Sequence, residues 1–402
     1  MIEYIFLALA GCAIGVVTGL IPGLHVNTVA VMGFGTYMAL GLTPMQFVII
    51  LIAVSITHAF LDYIPAIFLG APEEDTALSI LPAHRLFVQG RAFEAVKLTA
   101  TGSLLGLGAG LLLLLPALYV IPTIYHASRG FIAYVLIIAV VLLIAQEKSF
   151  RGIKWAVLIF LLSGWLGLLS LDHQGFLSPS DILFPVFAGL FGLSNLLDSF
   201  KSKISSIPQD EYIKVGLEKR FIGAGFLGAI SGALIGVLPA ISPSQMGSLI
   251  SEKAKLDAKN FLVFLSAINT SDAIYSMLAL YTINNPRSGV AVIIGKVIDI
   301  NFDTVLLLVG VMAFSAFFAV VVHIQIGKRM SRLVEKINYR KLCMASFIFI
   351  LLMVYAFTGL FGLLLALLCT VIGLLPIMSG VSRTHLMGVL LLPTILFFLG
   401  VA

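Results

Sequence analysis

The chain has 402 residues, of which 60% are hydrophobic and 11% are charged, and its mean hydropathy is +1.11. Soluble domains carry about 25% charged residues. This composition therefore excludes a soluble globular protein and predicts an all-α polytopic membrane protein with about ten to twelve transmembrane segments. The net charge of +5 arises from Lys and Arg between the apolar runs, which indicates membrane orientation and not nucleic-acid binding.

The first apolar segment, residues 2–40, contains a predicted helix break. Gly11, Gly15 and Gly19 are four residues apart, so they share one helix face on which a neighbouring helix can approach closely. Pro22 lacks a backbone donor and clashes with the preceding turn, so the helix must break or kink there. The segment either crosses the membrane with a kink or enters and turns back.

Small and polar residues surround this break. Lipid cannot satisfy the backbone N–H and C=O groups that the break leaves free, so these groups must face protein, water or a solute. We therefore predict part of a solute-binding site here. Its residues in the first segment are Pro22, Gly23, His25, Asn27 and Thr28. His25 has an alternative structural role as a donor to a freed carbonyl.

The second segment, residues 44–69, carries Ser55, Thr57, His58 and Asp62. His58 and Asp62 are four residues apart and share a helix face. They form either a plain hydrogen-bonded pair or a proton relay. Ionisable residues inside a membrane segment are costly, so each of them is a candidate functional residue.

A charged stretch divides the chain into two halves. Residues 1–200 form the first predicted repeat, residues 201–220 a linker, and residues 221–402 the second repeat with the C-terminal helices. Lys and Arg in 201–220 and 328–341 predict that both loops are cytoplasmic. If each broken segment returns to the side it entered, the number of spans gives the two repeats opposite topologies.

The second half repeats the broken segment. Shifted by 217 positions, Gly11, Gly15, Gly19 and Pro22 align with Gly228, Gly232, Gly236 and Pro239. Two broken segments at corresponding positions predict the binding site of a transporter. Helix N-termini at the breaks attract anions, and no acid lies within either break, so we expect an anionic solute. The second-half site residues are Pro239, Ala240, Ser242, Ser244 and Gln245.

A polar stretch in the second half predicts ion coupling. At an offset of 214 positions His58 aligns with Asp272, which follows three residues with small polar side chains. A carboxylate beside such oxygen donors suits Na⁺ or H⁺. The predicted ion-coupling residues are Ser55, Thr57, His58, Asn269, Thr270, Ser271 and Asp272.

The remaining motifs give no indication of an enzyme. The three cysteines make no metal-ligand spacing, and no nucleophile elbow, zinc-protease motif or Walker loop occurs. We predict no cofactor, no metal and no catalytic residue. Arg383 is the only Lys or Arg after Lys341, and it either reaches a membrane interface or attracts an anion.

Residues 19–23, Gly-Leu-Ile-Pro-Gly, resemble the Gly-x-x-Pro-Gly signature of the large membrane subunit of tripartite tricarboxylate transporters, the TctA family. Residues 67–72 with 90–95 look like its second signature, and residues 234–240 resemble its repeated break. Pro72 is followed by Glu73 and Pro239 by Ala240, where the family has Gly. These departures and the short chain indicate a divergent branch.

The resemblance implies a multi-pass protein of the cell membrane that carries a small carboxylate solute with Na⁺ or H⁺. It also implies two partners, a small membrane subunit and a periplasmic binding protein. One alternative is a translocase for polyprenyl phosphate or another lipid carrier, which also contains inverted Pro-Gly breaks. A second alternative is an intramembrane enzyme that acts through His58, Asp62 or Asp272.

Overall fold

The computed structural model of the chain is helical, with no strand among the residues that it describes, which confirms the predicted all-α class. The described residues are 2–22, 26–71, 76–128, 130–147, 149–172, 179–200, 207–236, 243–251, 254–284, 286, 288–336 and 338–401.

The first half of the chain contributes the helices α1 to α11. They are α1 (Ile2–Leu20), α2 (Val26–Thr36), α3 (Pro44–Leu61), α4 (Tyr63–Leu69), α5 (Ile80–Val88), α6 (Ala92–Leu112), α7 (Leu114–Ser128), α8 (Ile132–Ala145), α9 (Phe150–Asp172), α10 (Pro179–Phe187) and α11 (Ser194–Ser199). A short 3₁₀ helix (Ala77–Ser79) precedes α5, and a π-helical stretch (Ala188–Leu193) joins α10 to α11.

The second half contributes the helices α12 to α18. They are α12 (Lys219–Ile235), α13 (Pro243–Ser251), α14 (Ala258–Ile283), α15 (Gly289–Val297), α16 (Phe302–Glu335), α17 (Tyr339–Ser379) and α18 (Gly388–Phe398). A 3₁₀ helix (Arg383–Met387) precedes α18. Gly359 interrupts α17 with φ 64° and ψ −161°, so α17 consists of two helices joined at that residue.

The sequence determines where α3 begins and ends. Thr43 and Gln46 form a capping box, in which each side chain accepts a hydrogen bond from the backbone N–H of the other residue. Pro44 takes the first helical position, where no N–H is needed. Pro65 cannot donate to the carbonyl one turn back, and the helix accordingly divides into α3 and α4 at Asp62.

The two halves interlock through their long helices. Helix α3 lies between α1 of its own half and α16 of the second half, whereas α14 lies between α12 of its own half and α6 of the first half. Helices α6 and α16 also touch each other, and a Cβ built on Gly327 would lie 2.5 Å from Val96 Cγ1. The pair α1–α3 of the first half therefore packs on α16 of the second half, and the pair α12–α14 of the second half packs on α6 of the first half.

A second bundle packs beside this core and consists of α8 to α11, α17 and α18. The π-helical stretch packs on α17, where Gly189 faces the backbone of Ala366, and α18 packs on α9. Among the described residues, the contacts between the bundle and the core include those of α10 with α2, of α17 with α4, and of the 3₁₀ helix Arg383–Met387 with α13. The bundle therefore touches the helices that follow both predicted breaks.

Seven described helical segments are long and apolar enough to cross a membrane, which confirms a multi-pass membrane protein. They are Ile2–Leu20, Pro44–Leu69, Ala92–Leu112, Phe150–Ser170, Ala258–Ile283, Phe302–Glu335 and Cys343–Ser379. The bent pair α7–α8 would make an eighth span, and two shorter apolar helices, Ile182–Asp198 and Arg383–Phe398, are described in addition, so the expected total of ten to twelve segments stays a prediction.

The linker between the halves, described from residue 207, is bound to both of them. Gln209 Oε1 accepts from the Ala92 N–H (2.9 Å), and Gln209 Nε2 donates to Phe87 O (3.0 Å), both in the first half. Arg332 of α16 donates to Glu211 Oε1 (2.6 Å), and this hydrogen bond lowers the pKa of the Glu211 carboxyl. The linker residues from 207 onward therefore pack across the turn between α5 and α6 and against the C-terminal end of α16. We call this segment the strap.

Candidate functional site

The helices α1 and α3 form a hairpin that is packed through the glycines of α1. A Cβ built on Gly11 would lie 2.5 Å from Ile50 O, and one on Gly15 would lie 2.7 Å from Thr57 Cβ. A Cβ on Gly19 would lie 2.8 Å from Leu61 Cβ. These distances are too short for any side chain, which confirms the close approach predicted from the four-residue spacing.

The helices α12 and α14 form a second hairpin with the same contacts. The glycines and their partners on α14 are Gly228 with Ala267, Gly232 with Ser271, and Gly236 with Tyr275. In the first hairpin the partners at the matching places are Ala53, Thr57 and Leu61, each 214 positions earlier. The repeat found in the sequence is therefore also a repeat of helix packing.

The first predicted break occurs where it was expected. Helix α1 ends at Leu20, α2 begins at Val26, and Pro22 is buried between them. Asn27 lies in the first turn of α2 against the second half, because a Cβ built on Gly289 would lie 2.6 Å from Asn27 Oδ1. Gly23, His25 and the side chain of Thr28, which were predicted to complete this part of the site, lie outside the described residues.

The second predicted break separates α12, which ends at Ile235, from α13, which begins at Pro243. Ser244 is buried in the first turn of α13. Helix α13 packs on the 3₁₀ helix Ala77–Ser79 of the first half. The other predicted residues of this break, Pro239, Ala240, Ser242 and the side chain of Gln245, lie outside the described residues.

The two breaks are thus placed in a reciprocal way. The helix that resumes after the first break meets the start of α15, which follows Pro286 in the second half. The helix that resumes after the second break meets the 3₁₀ helix that follows Pro72 in the first half. Pro72 and Pro286 are themselves 214 positions apart, so the helix after each break contacts the segment that follows the corresponding proline of the other half.

On α3, the structure brings the predicted coupling residues against α1. Thr57 is fully buried, and its Oγ1 makes no hydrogen bond to the described part of the chain. His58 Nδ1 lies 3.1 Å from Thr18 Oγ1, so this contact of the ring reaches α1 and not Asp62 on its own helix. Ser55 is half-buried on the same helix.

On α14, the predicted coupling residues are divided between faces. Successive residues of a helix are turned by about 100°, so Asn269 and Asp272 share a face whereas Ser271 points at α12 and Gly232. Thr270 Oγ1 donates to Ser266 O (3.2 Å), and Ser271 Oγ donates to Ile268 O (3.1 Å). Asn269 and Asp272 are therefore the pair on this stretch that can act together.

Sequence reasoning missed the glycine face of α6. Gly102, Gly106 and Gly110 are again four residues apart, and they pack on α14 against Val263, Ala267 and Ile274. The spacing was visible in the sequence, but the partner was not, because the partner helix belongs to the other half. Helix α14 is held between two glycine faces, those of α6 and α12.

Arg383 is buried, with 7% of its surface exposed, so the expectation that it reaches a membrane interface is wrong. Its Nη2 donates to Leu190 O (2.9 Å), Phe191 O (3.1 Å) and Ser194 Oγ (2.7 Å). These carbonyls belong to the π-helical stretch, whose wider winding leaves room for a donor from outside. Arg383 therefore holds the end of that stretch within the second bundle.

The described residues contain no group of three or more His, Cys, Asp or Glu side chains that could hold a metal ion. Among the described residues beside the two breaks, the polar groups are the N-termini of α2 and α13, the Asn27 amide and the Ser244 hydroxyl. This arrangement suits the binding and release of a solute.

Comparisons with known proteins bear on the class of this site. The family model of the tripartite tricarboxylate transporter TctA family matches residues 5–388. An uncharacterized protein of Methanocaldococcus jannaschii is 30% identical over an alignment of 414 residues. The alignment covers 99% of this chain and 100% of that protein. No solved structure matches the chain.

Proposed function

Because the chain belongs to the tripartite tricarboxylate transporter TctA family, we propose that it moves a small organic anion of the carboxylate type across the cell membrane. Transport is coupled to Na⁺ or H⁺, since the sequence offers no site for ATP. The observation that carries this proposal is the reciprocal packing of two broken hairpins, each against the other half of the chain. Paired discontinuous helices are the usual place of the solute in secondary transporters.

The solute is held between the N-termini of α2 and α13. A helix N-terminus presents free N–H groups and the positive end of the helix dipole, both of which favour a carboxylate. Small side chains next to the prolines let the solute reach these donors. The proposed contact residues are Pro22, Gly23, His25, Asn27, Thr28, Pro239, Ala240, Ser242, Ser244 and Gln245.

The coupling cation binds on the long helices beside the breaks. Asn269 and Asp272 share one face of α14, and the proposed partners on α3 are Ser55, Thr57 and His58, of which Thr57 has a buried hydroxyl without a described hydrogen-bond partner. Carboxylate, amide and hydroxyl oxygens are ligands of hard cations. The hydroxyls of Thr270 and Ser271 are bonded within α14, and Ser271 faces α12, so the proposed ligands on this helix are Asn269 and Asp272.

The two halves act as inverted repeats in this proposal. The repeated packing of α1 on α3 and of α12 on α14 supports it. Alternating access then requires one repeat to move against the other around the fixed site. As in a tripartite system, a small membrane subunit and a periplasmic binding protein are the proposed partners.

Uptake into proteoliposomes tests the function. The purified full chain is reconstituted, and uptake of radiolabelled citrate, succinate and a neutral amide of succinate is followed with a Na⁺ gradient, with a pH gradient and with neither. We expect uptake of at least one carboxylate and no uptake of the amide. Transport of the neutral compound alone, or of no carboxylate under any gradient, contradicts the proposal.

Two variants test the position of the site. Gly23→Leu and Ser242→Leu fill the proposed space at each break, so each is expected to abolish uptake in a protein that still purifies as a folded monomer or oligomer like the parent. Gly108→Ala is the control, because nothing lies within 4 Å of its new methyl group. Normal uptake by both leucine variants places the solute elsewhere.

A further inference from the structure

Helix α14 carries a row of polar side chains on a face that packs on neither of its glycine-rich neighbours. The glycines of α12 lie against α14 at Ser271, and those of α6 lie against it at Val263. Successive residues of a helix are turned by about 100°, so Asn269, Asp272 and Ser276 fall together on a third face. We call these three residues the polar row.

The polar row is bounded at its two ends by α13 and α15. Leu265, one turn before the row, contacts α13, because a Cβ built on Gly247 would lie 2.9 Å from Leu265 Cδ1. Leu280, one turn after the row, contacts α15, because a Cβ built on Gly295 would lie 3.0 Å from Leu280 Cδ1. Helix α13 resumes after the second break, and α15 contacts α2, which resumes after the first. The polar row therefore lies between two helices that adjoin the proposed solute site.

The Ser276 hydroxyl lacks the backbone bond that the other Ser and Thr hydroxyls of α14 make. Ser266 Oγ donates to Leu262 O (2.8 Å) and Thr282 Oγ1 donates to Leu278 O (2.8 Å). Ser276 is only 1% exposed, yet its Oγ makes no hydrogen bond to the described part of the chain. Burial of a hydroxyl without a partner is unfavourable, which indicates that Ser276 bonds a group from outside the chain.

The side chains of the polar row lean over one another. Helical side chains point back over the preceding turn, so the Ser276 hydroxyl is directed towards Asp272, whose Cβ is about 5–6 Å away at this spacing. Asp272 leans in the same way towards Asn269. Asn269 is 7% exposed, and its Nδ2 makes no hydrogen bond to the described residues. Since an amide can turn its oxygen to a ligand, the row offers oxygens on three consecutive turns.

The first half has polar side chains at the same three places of α3. The pairs, at an offset of 214 positions, are Ser55 with Asn269, His58 with Asp272, and Asp62 with Ser276. The packing beside them repeats at the same offset, since Gly33 of α2 faces Phe47 of α3 and Gly247 of α13 faces Phe261 of α14. The place of Ser276 is therefore a polar place of the repeated unit, and in the first half it holds a carboxylate.

We propose that Ser276 is an oxygen ligand of the coupling cation, together with Asn269 and Asp272. The assignment rests on the proposed cation-coupled transport. Ca²⁺, which is close to Na⁺ in size, binds oxygens at about 2.3–2.6 Å, so a cation of this size joins oxygens on successive turns that do not hydrogen-bond each other. The Ser276 hydroxyl is not a base, so it contributes to the binding of Na⁺ and not of H⁺.

Thermal unfolding of the purified full chain, without any solute, tests the site. The Tm is measured in choline chloride and in sodium chloride at equal concentrations, because a ligand that binds only the folded chain raises the Tm. We expect Na⁺ to raise the Tm of the parent. Ser276→Ala should be at least as stable as the parent in choline chloride, because it removes an unpaired buried hydroxyl. It should need at least about tenfold more Na⁺ for the same rise, since even an outer-shell partner is worth about 10–100-fold in metal affinity.

Ser266→Ala is the matched control, because this hydroxyl of α14 bonds its own helix and faces Gly102 of α6. It should keep the response of the parent to Na⁺. Ser276→Cys keeps the size of the side chain and replaces its oxygen by sulfur, so it serves as the second variant if Ser276→Ala does not fold. A parent-like response in the Ser276 variants, an equal loss in Ser266→Ala, or no response in the parent overturns the proposal.

Uptake into proteoliposomes separates this proposal from the transport function. Carboxylate uptake by a parent whose Tm does not respond to Na⁺ overturns the role of Ser276 and leaves the transport proposal intact. A response to Na⁺ that depends on Ser276, in a chain that takes up no carboxylate under any gradient, supports the cation site and contradicts the transport proposal.

Discussion

Gly70 and Asn284 stand at the same place in the two halves, 214 positions apart, and both have a left-handed backbone. Their φ angles are 61° and 48°, and each residue directly follows the last residue of a helix, α4 or α14. Glycine adopts this conformation freely, and asparagine adopts it more readily than most other side chains. The replacement of Gly by Asn between the halves therefore preserves the way in which the helix ends.

This relationship predicts the effect of substitutions at Asn284. Asn284→Gly should leave thermal stability in detergent unchanged or slightly higher. Asn284→Val should lose about 1–2 kcal/mol, because a β-branched side chain in the left-handed region crowds the following carbonyl. Thermal unfolding followed by intrinsic fluorescence measures both. Equal stability of the two variants would show that the helix ends in some other way.

The glycine face of α6 predicts opposite effects for two neighbouring positions. Gly106→Ala should destabilise the protein by about 1–3 kcal/mol, because the added methyl group would collide with Ala267 of α14. Gly108→Ala, on the same helix with open space around it, should be neutral or stabilise by up to about 1 kcal/mol through helix propensity. Thermal unfolding of the two variants side by side checks this. A stable Gly106→Ala protein would contradict the packing of α6 on α14.

The strap formed by the linker depends on Gln209. Gln209→Ala removes hydrogen bonds with the Ala92 N–H and Phe87 O; Phe87 O still accepts from the Gly90 N–H, but the buried Ala92 N–H is left unpaired, which costs about 1–3 kcal/mol. We expect faster proteolytic cleavage between residues 207 and 218. Tyr212→Ala, at a side chain that is 83% exposed, should be cleaved like the parent. An unchanged rate for Gln209→Ala would show that the linker is held elsewhere.

The basic loops predict the membrane orientation. Cysteines introduced at Tyr212 and Asn338, both exposed, should react with a membrane-impermeant maleimide in inverted vesicles and not in intact cells. The native cysteines Cys12, Cys343 and Cys369 are buried and should give little background. Labelling of either introduced cysteine in intact cells would reverse the orientation.

Asp272→Asn tests the proposed cation site. The amide keeps the shape of the side chain but cannot supply the negative charge, so the stimulation of uptake by a Na⁺ or pH gradient should fall at least about tenfold, as when a charged ligand is lost. Asp303→Asn, an exposed acid in the first turn of α16, should retain the stimulation. If the ion dependence of Asp272→Asn equals that of the parent, Asp272 is not part of the site.

The sequence allowed the local features of the fold to be predicted. The class, the break after α1 and the close packing at Gly11 and Gly15 all depend on residues that are near each other in the chain. The correspondence of Thr57 with Ser271 follows from the offset of 214 positions in the sequence. The structure agrees with it, because each of the two residues lies opposite a glycine of its own hairpin. These features need no knowledge of which helices meet later.

Contacts between the halves could not be predicted in the same way. The polar side chain of His323 was visible in an apolar run, but its partners Val96 and Thr99 on α6 lie more than 200 residues earlier. Arg383 offered a choice between two roles, and its burial against the π-helical stretch excludes the role at a membrane interface. Adjacent polar residues such as Thr270 and Ser271 also gave too simple a prediction, since a helix turns them onto different faces.

The interlocking of the halves has a consequence for biogenesis. Helices α1 and α3 leave the ribosome early, yet the helix that covers α3, α16, is translated only after about 240 further residues. During that interval the face of α3 that α16 later covers must be shielded by lipid or by the insertion machinery. Truncation before residue 302 should therefore yield a chain that inserts into the membrane and is then degraded, whereas supplying the missing C-terminal part as a separate polypeptide should rescue it.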